Sequence, residues 1–238
     1  MLRKRWVVGT ATLAAMLIST HAAAHYLWLE TNNGQTKLFF GEAEMLLKEK
    51  SPGRLDEFQA PNAFAKLKDG TSRPIALKRK ENAILLSTEA NDKGVYVFDE
   101  SSPVKDLTQY GLGLAKSNYY AREGNTAPAG RDALTLDIRP EANNKFSVVY
   151  KGRPVKGAKV EVVAPNTWMQ EHKTDEQGYV SINTPWKGQY VIHVLYIDKT
   201  PGSFDGKNYD SLRNHLTYTF KTTRGTEPGP AKAPTHAE

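Results

Sequence analysis

Short strand-like runs at close spacing predict an all-β protein built as two β-sandwich-like domains of immunoglobulin or prealbumin type, with one or two short helices. Three observations carry that expectation. Apolar residues repeat every second position, as in Lys159-Val160-Glu161-Val162-Val163-Ala164 and around Leu134, Leu136 and Ile138. Gly, Asn, Asp and Pro punctuate the runs, as in Thr31-Asn32-Asn33-Gly34-Gln35. The 238 residues contain no cysteine, so a buried core and not a disulfide framework must hold the chain.

Taken in order, strand patterns run from Tyr26 to Glu30 and from Lys37 to Gly41. Ser51 reads as an N-cap with Pro52 in the first turn, which predicts a short helix over Arg54-Leu55-Asp56-Glu57-Phe58. Further strands are expected at Phe64 to Leu67, Ile75 to Leu77, Ala83 to Ser87 and Gly94 to Asp99. Leu107, Tyr110 and Leu114 fit helical spacing between Asp106 and Tyr120, although Gly111 and Gly113 weaken it. The polar, breaker-rich segment 122–132 reads as a linker, placing one domain over 25–130 and another over 131–222. In the second, strands are expected at Phe146 to Tyr150, Lys159 to Ala164, Tyr179 to Ile182, Gln189 to Ile197 and His215 to Phe220. Residues 223–238 read as a disordered tail.

The first 24 residues read as an export signal. Met1-Leu2-Arg3-Lys4-Arg5 is a cationic start, Trp6 to Thr20 is apolar and small, and Ala22 and Ala24 supply a cleavage pattern. The apolar run is shorter than the roughly 20 residues of a spanning helix, so a cleaved, exported and periplasmic protein is expected, not a membrane-spanning one. Losing Arg3, Lys4 and Arg5 leaves 29 basic against 26 acidic residues. That balance does not point to nucleic acid.

Cleavage after Ala24 makes His25 the first residue. A terminal histidine brings two nitrogen donors, its α-amine and its ring Nδ1, and the amine deprotonates near ~7.7–8. Of the other histidines, His215 lies on a strand whose alternate residues Leu216, Tyr218 and Phe220 face a core, so it points to solvent or to another element. His193 alternates with Val191 and Leu195 and reads as a core histidine that is also a candidate ligand. The expected metal ligands are therefore His25, His215 and His193. His172 falls in a polar turn and His236 in the tail, while Glu30, Glu42, Glu44 and Asp210 are candidate carboxylate partners. Hydrolase, zinc-protease, P-loop and dinucleotide-binding motifs are absent from the sequence.

Two resemblances add to this reading. Gly152-x-Pro154-Val155-x-Gly157-Ala158-x-Val160-x-Val162, then Thr174-Asp175-x-x-Gly178-x-Val180-x-Ile182, then Tyr190 to Val194 resemble the prealbumin-like or carboxypeptidase-regulatory-like module. That implies a β-sandwich and no activity. Over nearly the whole chain after the signal, His25 to Glu30, Lys50 to Gly53, Thr200 to Gly202, and Tyr209, Arg213, His215 and Thr217 resemble a periplasmic family of unknown function linked to nickel and cobalt uptake. Members with dedicated nickel roles start with several histidines, whereas this chain starts with one. The expectation is a non-enzymatic periplasmic protein that binds Ni²⁺, Co²⁺ or Cu²⁺ and serves a membrane metal-uptake transporter. The alternatives are a metal-free structural or ligand-binding module and a copper histidine-brace oxidase.

Overall fold

The computed structural model describes residues 25–59, 61–124 and 134–231. The expected signal over 1–24, residues 125–132 of the expected 122–132 linker, and residues 232–238 of the expected tail, His236 among them, lie outside them, whereas Arg122 and Glu123 of that linker belong to a strand. No helix among the described residues is long and apolar enough to cross a membrane.

The chain opens with β1 (Tyr26–Asn32), β2 (Gln35–Glu42) and, after one 3₁₀ turn, β3 (Leu47–Lys48). Asn33 and Gly34 both take positive φ, 50° and 74°, between the paired residues Asn32 and Gln35. A two-residue hairpin loop needs that left-handed pair to match the strand twist, and Asn-Gly supplies it at least cost. The chain continues through β4 (Asn62–Lys66), β5 (Ser72–Pro74), β6 (Leu77–Arg79), β7 (Ile84–Leu86), β8 (Gly94–Asp99), β9 (Lys105–Asp106) and β10 (Leu114–Glu123). After the connection come β11 (Leu136–Pro140), β12 (Lys145–Tyr150), β13 (Arg153–Pro154), β14 (Lys159–Val163), β15 (Met169–Lys173) and β16 (Tyr179–Ser181). The last are β17 (Gly188–Asp198), β18 (Gly202–Phe204), β19 (Lys207–Tyr209) and β20 (Ser211–Thr222).

These strands make an all-β fold of layered sheets, as the alternation predicts. The largest sheet has nine strands, in the order β15-β14-β17-β20-β10-β8-β4-β5 with β9 on β10. It draws strands from both sides of the 125–133 connection. Its halves meet where β10 and β20 run parallel, with Tyr119 opposite His215. A five-stranded sheet (β1-β2-β7-β6, with β3 on β2) and a four-stranded one (β11-β12-β13, with β16 on β12) complete the layers. One face of the nine-stranded sheet presents Tyr120, Val160, Val162, Ile192, Val194, Leu216 and Tyr218 to the four-stranded sheet. Elsewhere its Ala65, Val97 and Ala121 pack with Leu27, Leu29, Leu38 and Phe40 of the five-stranded sheet.

Two helix expectations resolve differently from a true α-helix. Residues Arg54–Glu57 form a single 3₁₀ turn, closed by Asp56, whose carboxylate accepts from the Gly53 amide at 3.0 Å and the Ser51 hydroxyl at 2.7 Å. In the 106–120 stretch only Thr108–Tyr110 is helical, again one 3₁₀ turn, with Asp106 ending β9 before it and β10 beginning at Leu114 after it. Most of β10 is buried on both faces because it lies near the middle of a covered sheet, so Lys116, Asn118 and Arg122 are inside along with Ala115, Tyr120 and Ala121. Polar side chains on inward positions erase the two-residue period that marks a strand.

Candidate metal centre

His25 stands immediately before β1, and the hairpin β1–β2–β3 assembles its surroundings. Gly41, at φ 141°, lets β3 approach β2, where a Cβ would run into the Leu47 carbonyl. That approach pairs Gly41 with Lys48, and the Glu49 amide then donates to the Phe40 carbonyl at 2.8 Å. Glu42 and Glu49 thus arrive at opposite edges of the His25 ring, whose face rests on Phe40 with centroids 5.4 Å apart.

Nε2 of His25 lies 2.6 Å from Glu49 Oε1, and Nδ1 lies 3.0 Å from Glu42 Oε1. Arg54 closes the Glu49 side, its Nη1 2.9 Å from Nε2 and 3.5 Å from the same carboxylate oxygen. Nδ1 and the Glu42 carboxylate, 3.0 Å apart, can share one cation, a proton or a metal ion. Burial pushes the Glu42 carboxyl above its ordinary range, and the nearby Glu44 and Glu49 add to this while His25 and Arg54 oppose it. Glu44 itself accepts a short hydrogen bond from the Tyr26 hydroxyl, which burial holds far above the usual phenol value.

A hydrogen bond and a shared metal ion both have dimensions compatible with this gap. Two ligands about 2.0–2.1 Å from an ion and at right angles to each other sit about 2.9 Å apart. The 3.0 Å separation of Nδ1 and Glu42 Oε1 matches that without rearrangement. The α-amine of a chain starting at His25 would be the third donor. A carboxylate on the far ring nitrogen is the usual companion of a metal-bound histidine, fixing its tautomer and raising its basicity. Among the described residues no three His, Asp or Glu side chains converge on one point as a finished cage.

The structure separates the other two expected ligands from His25 and joins them to each other. His193 on β17 and His215 on β20 are both buried, their rings 5.7 Å apart and within 11° of parallel. Tyr26 stacks on His193 at 4.4 Å and Tyr119 on His215 at 5.0 Å, so four rings line up inside the protein. His193 Nδ1 donates to Glu161 Oε2 at 2.9 Å, and that bond is the main reason the Glu161 carboxyl falls to about 2. Burial drives His215 well below the ordinary histidine range. The element faced by His215, Thr217 and Thr219 is the five-stranded sheet: Thr217 Oγ1 donates to the Leu27 carbonyl at 2.7 Å. His172 bonds Gln170 at 3.1 Å. Glu30 pairs with Lys48 and accepts from Trp28 Nε1, both at 3.0 Å, and Asp210 accepts from the Leu114 amide at 2.8 Å.

Glu49 and Arg54 are the residues that sequence reasoning passed over. The close run of Glu42, Glu44 and Glu49 was the available signal, but only the β2–β3 register shows which carboxylates reach His25.

Residues 132–198 match the model of a family described as a domain of unknown function, DUF4198. The matched stretch spans β11 to β17, and so holds Glu161 and His193 but neither His25 nor His215. No curated protein and no solved structure matches the chain.

Proposed function

We propose that this chain is exported, is cut after Ala24, and binds one divalent transition-metal ion at the new N-terminus through the His25 α-amine, His25 Nδ1 and Glu42. Its role is binding and delivery in the periplasm, for a membrane metal-uptake transporter, and not catalysis. The observation that carries the reading is the His25 ring held by Glu49 at Nε2 while Nδ1 faces Glu42 at 3.0 Å. Nitrogen-rich donors at right angles favour Cu²⁺ and Ni²⁺ over Co²⁺, with Cu²⁺ the tightest by the general order of divalent affinities. Because protons compete for the same lone pairs, affinity falls as pH drops through the amine and imidazole titrations. The ligand set uses His25 and Glu42 and leaves His193 and His215 to the sheet interface, which also weighs against a two-histidine copper oxidase.

The test is calorimetric titration of chelator-stripped protein beginning at His25 against the same protein with one glycine added before it. The extension moves the amine out of the chelate ring and should weaken Cu²⁺ and Ni²⁺ binding by at least about tenfold, 1.4 kcal/mol. Equal affinity of the two forms would remove the terminal chelate and favour the metal-free module.

A further inference from the structure

The row of rings Tyr26, His193, His215 and Tyr119 adjoins the His25 cradle through Tyr26 and through the Tyr119–Phe40 contact at 5.9 Å, and its chemistry is unusual for a core. Among the described residues His193 Nε2 and His215 Nδ1 are buried without a hydrogen-bond partner. Both histidines are less than 5% exposed, at 4% and 3%. The row also lies where β1 meets the nine-stranded sheet. Tyr26 comes from β1, His193 and His215 from the sheet, and the Thr217–Leu27 bond crosses the same seam.

We propose that His215 is an acid-sensitive latch: its neutral ring lets β1 dock, and proton uptake there releases β1 from the nine-stranded sheet. A charged imidazole cannot stay in this seam without water, and opening β1 is the shortest way to hydrate it. The surrounding charges do not rescue it. From β14, Glu161 faces His193, but Lys159 at 2.9 Å already shares that carboxylate. From β20, the Arg213 guanidinium adds positive potential at His215, as His193 does from β17. From β1 and β10, Tyr26 and Tyr119 are uncharged, with burial raising both hydroxyls. Glu44 stands behind the Tyr26 hydroxyl, and Glu57 and Arg54 act on Tyr119 with opposite signs.

The sign follows from linkage. A histidine whose folded-state value lies below its unfolded value of ~6.5 contributes docking stability that is complete above that pH and is lost as pH falls below it. One proton taken up on opening by a group of ~6.5 multiplies the opening equilibrium by up to about ten per pH unit below that value, about thirtyfold in all between pH 7.5 and 5.0. The latch needs no metal and does not depend on the His25 reading.

Hydrogen exchange read by mass spectrometry tests it on metal-free protein at pH 7.5 and 5.0, corrected for intrinsic exchange. Peptides covering Tyr26–Asn32 should lose protection about thirtyfold at the lower pH, while Lys145–Tyr150 in the four-stranded sheet should not. His215→Phe keeps the stack without a titrating nitrogen and should flatten the response of β1; if that variant does not fold, His215→Gln serves the same comparison. Unchanged β1 protection in the wild type, or an acid response in the folded variant equal to that of the wild type, would overturn the proposal.

Discussion

Replacing Glu49 by glutamine changes one atom in reach of His25 and isolates the role of the far ring nitrogen. In the native protein the Glu49 carboxylate lies 2.6 Å from His25 Nε2, and the Glu49 side chain keeps only 20% of its surface exposed. Water therefore screens the contact incompletely. The glutamine side chain fills the same space and still offers a carbonyl oxygen, so the fold and the Phe40 contact should survive. What it loses is the negative charge that makes the ring a stronger base at Nδ1. Removing a carboxylate behind a metal-bound histidine typically costs 10–100-fold in affinity, about 1.4–2.8 kcal/mol. The partial exposure of this site and the neighbouring Arg54 charge place the expectation at the lower end, about tenfold. The assay is competition of Glu49→Gln and wild type, both starting at His25, against a chelator of known strength for Cu²⁺ and Ni²⁺. The loss should exceed that of His172→Ala, which alters a histidine bonded only to Gln170 nearby. Affinity within twofold of wild type for both ions would refute the carboxylate–histidine–metal argument even if the terminal amine still binds.

Two further outcomes test the frame around the site. Arg122 and Asp137 form a buried pair at 2.9 Å, the arginine also donating to the Ile138 carbonyl at 2.7 Å, so Asp137→Asn strands a buried guanidinium and should cost about 3–5 kcal/mol in urea unfolding; a loss under 1 kcal/mol would show the pair to be dispensable. Glu161, lowered to about 2 from 4.5 chiefly by His193, contributes stability present above about 4.5 and lost as pH falls toward 2. The stability gap between wild type and Glu161→Gln should therefore shrink across that window in urea midpoints, and a gap independent of pH would contradict the assignment.

The strands with outward polar residues were legible from alternation, and Gly94–Asp99 falls on its predicted limits. Asn33-Gly34 marked its hairpin because only residues at ease with positive φ fit there. The period failed at β10, where Lys116, Asn118 and Arg122 are buried on the strand's inner side. It also failed at Arg54–Glu57, where an N-cap signal led to one tight turn and no more. For the site, His25 was visible as a terminal residue, but its partners were not. Glu42 and Glu49 reach it through cross-strand register, which local sequence does not encode. His193 and His215 were visible as two separate strand residues. Their stacking depends on β20 lying between β17 and β10, a neighbour relation that periodicity does not carry.

The parallel pairing of β10 with β20 also sets an order of events. The strand at the middle of the largest sheet is the last one in the sequence, between Ser211 and Thr222. Until it arrives, β10 and β17 each keep an open edge, and the 96 residues separating Asn118 from its bonded partner Asn214 must be gathered before either edge is closed. Loop closure over such a span is paid before the contacts reward it, which slows folding and leaves exposed strand edges open to pairing with other copies. A chain shortened by a few dozen residues at its C-terminus would thus lose its central strand and not a peripheral one, and the first half, though synthesised first, would wait on the last strand to finish its sheet.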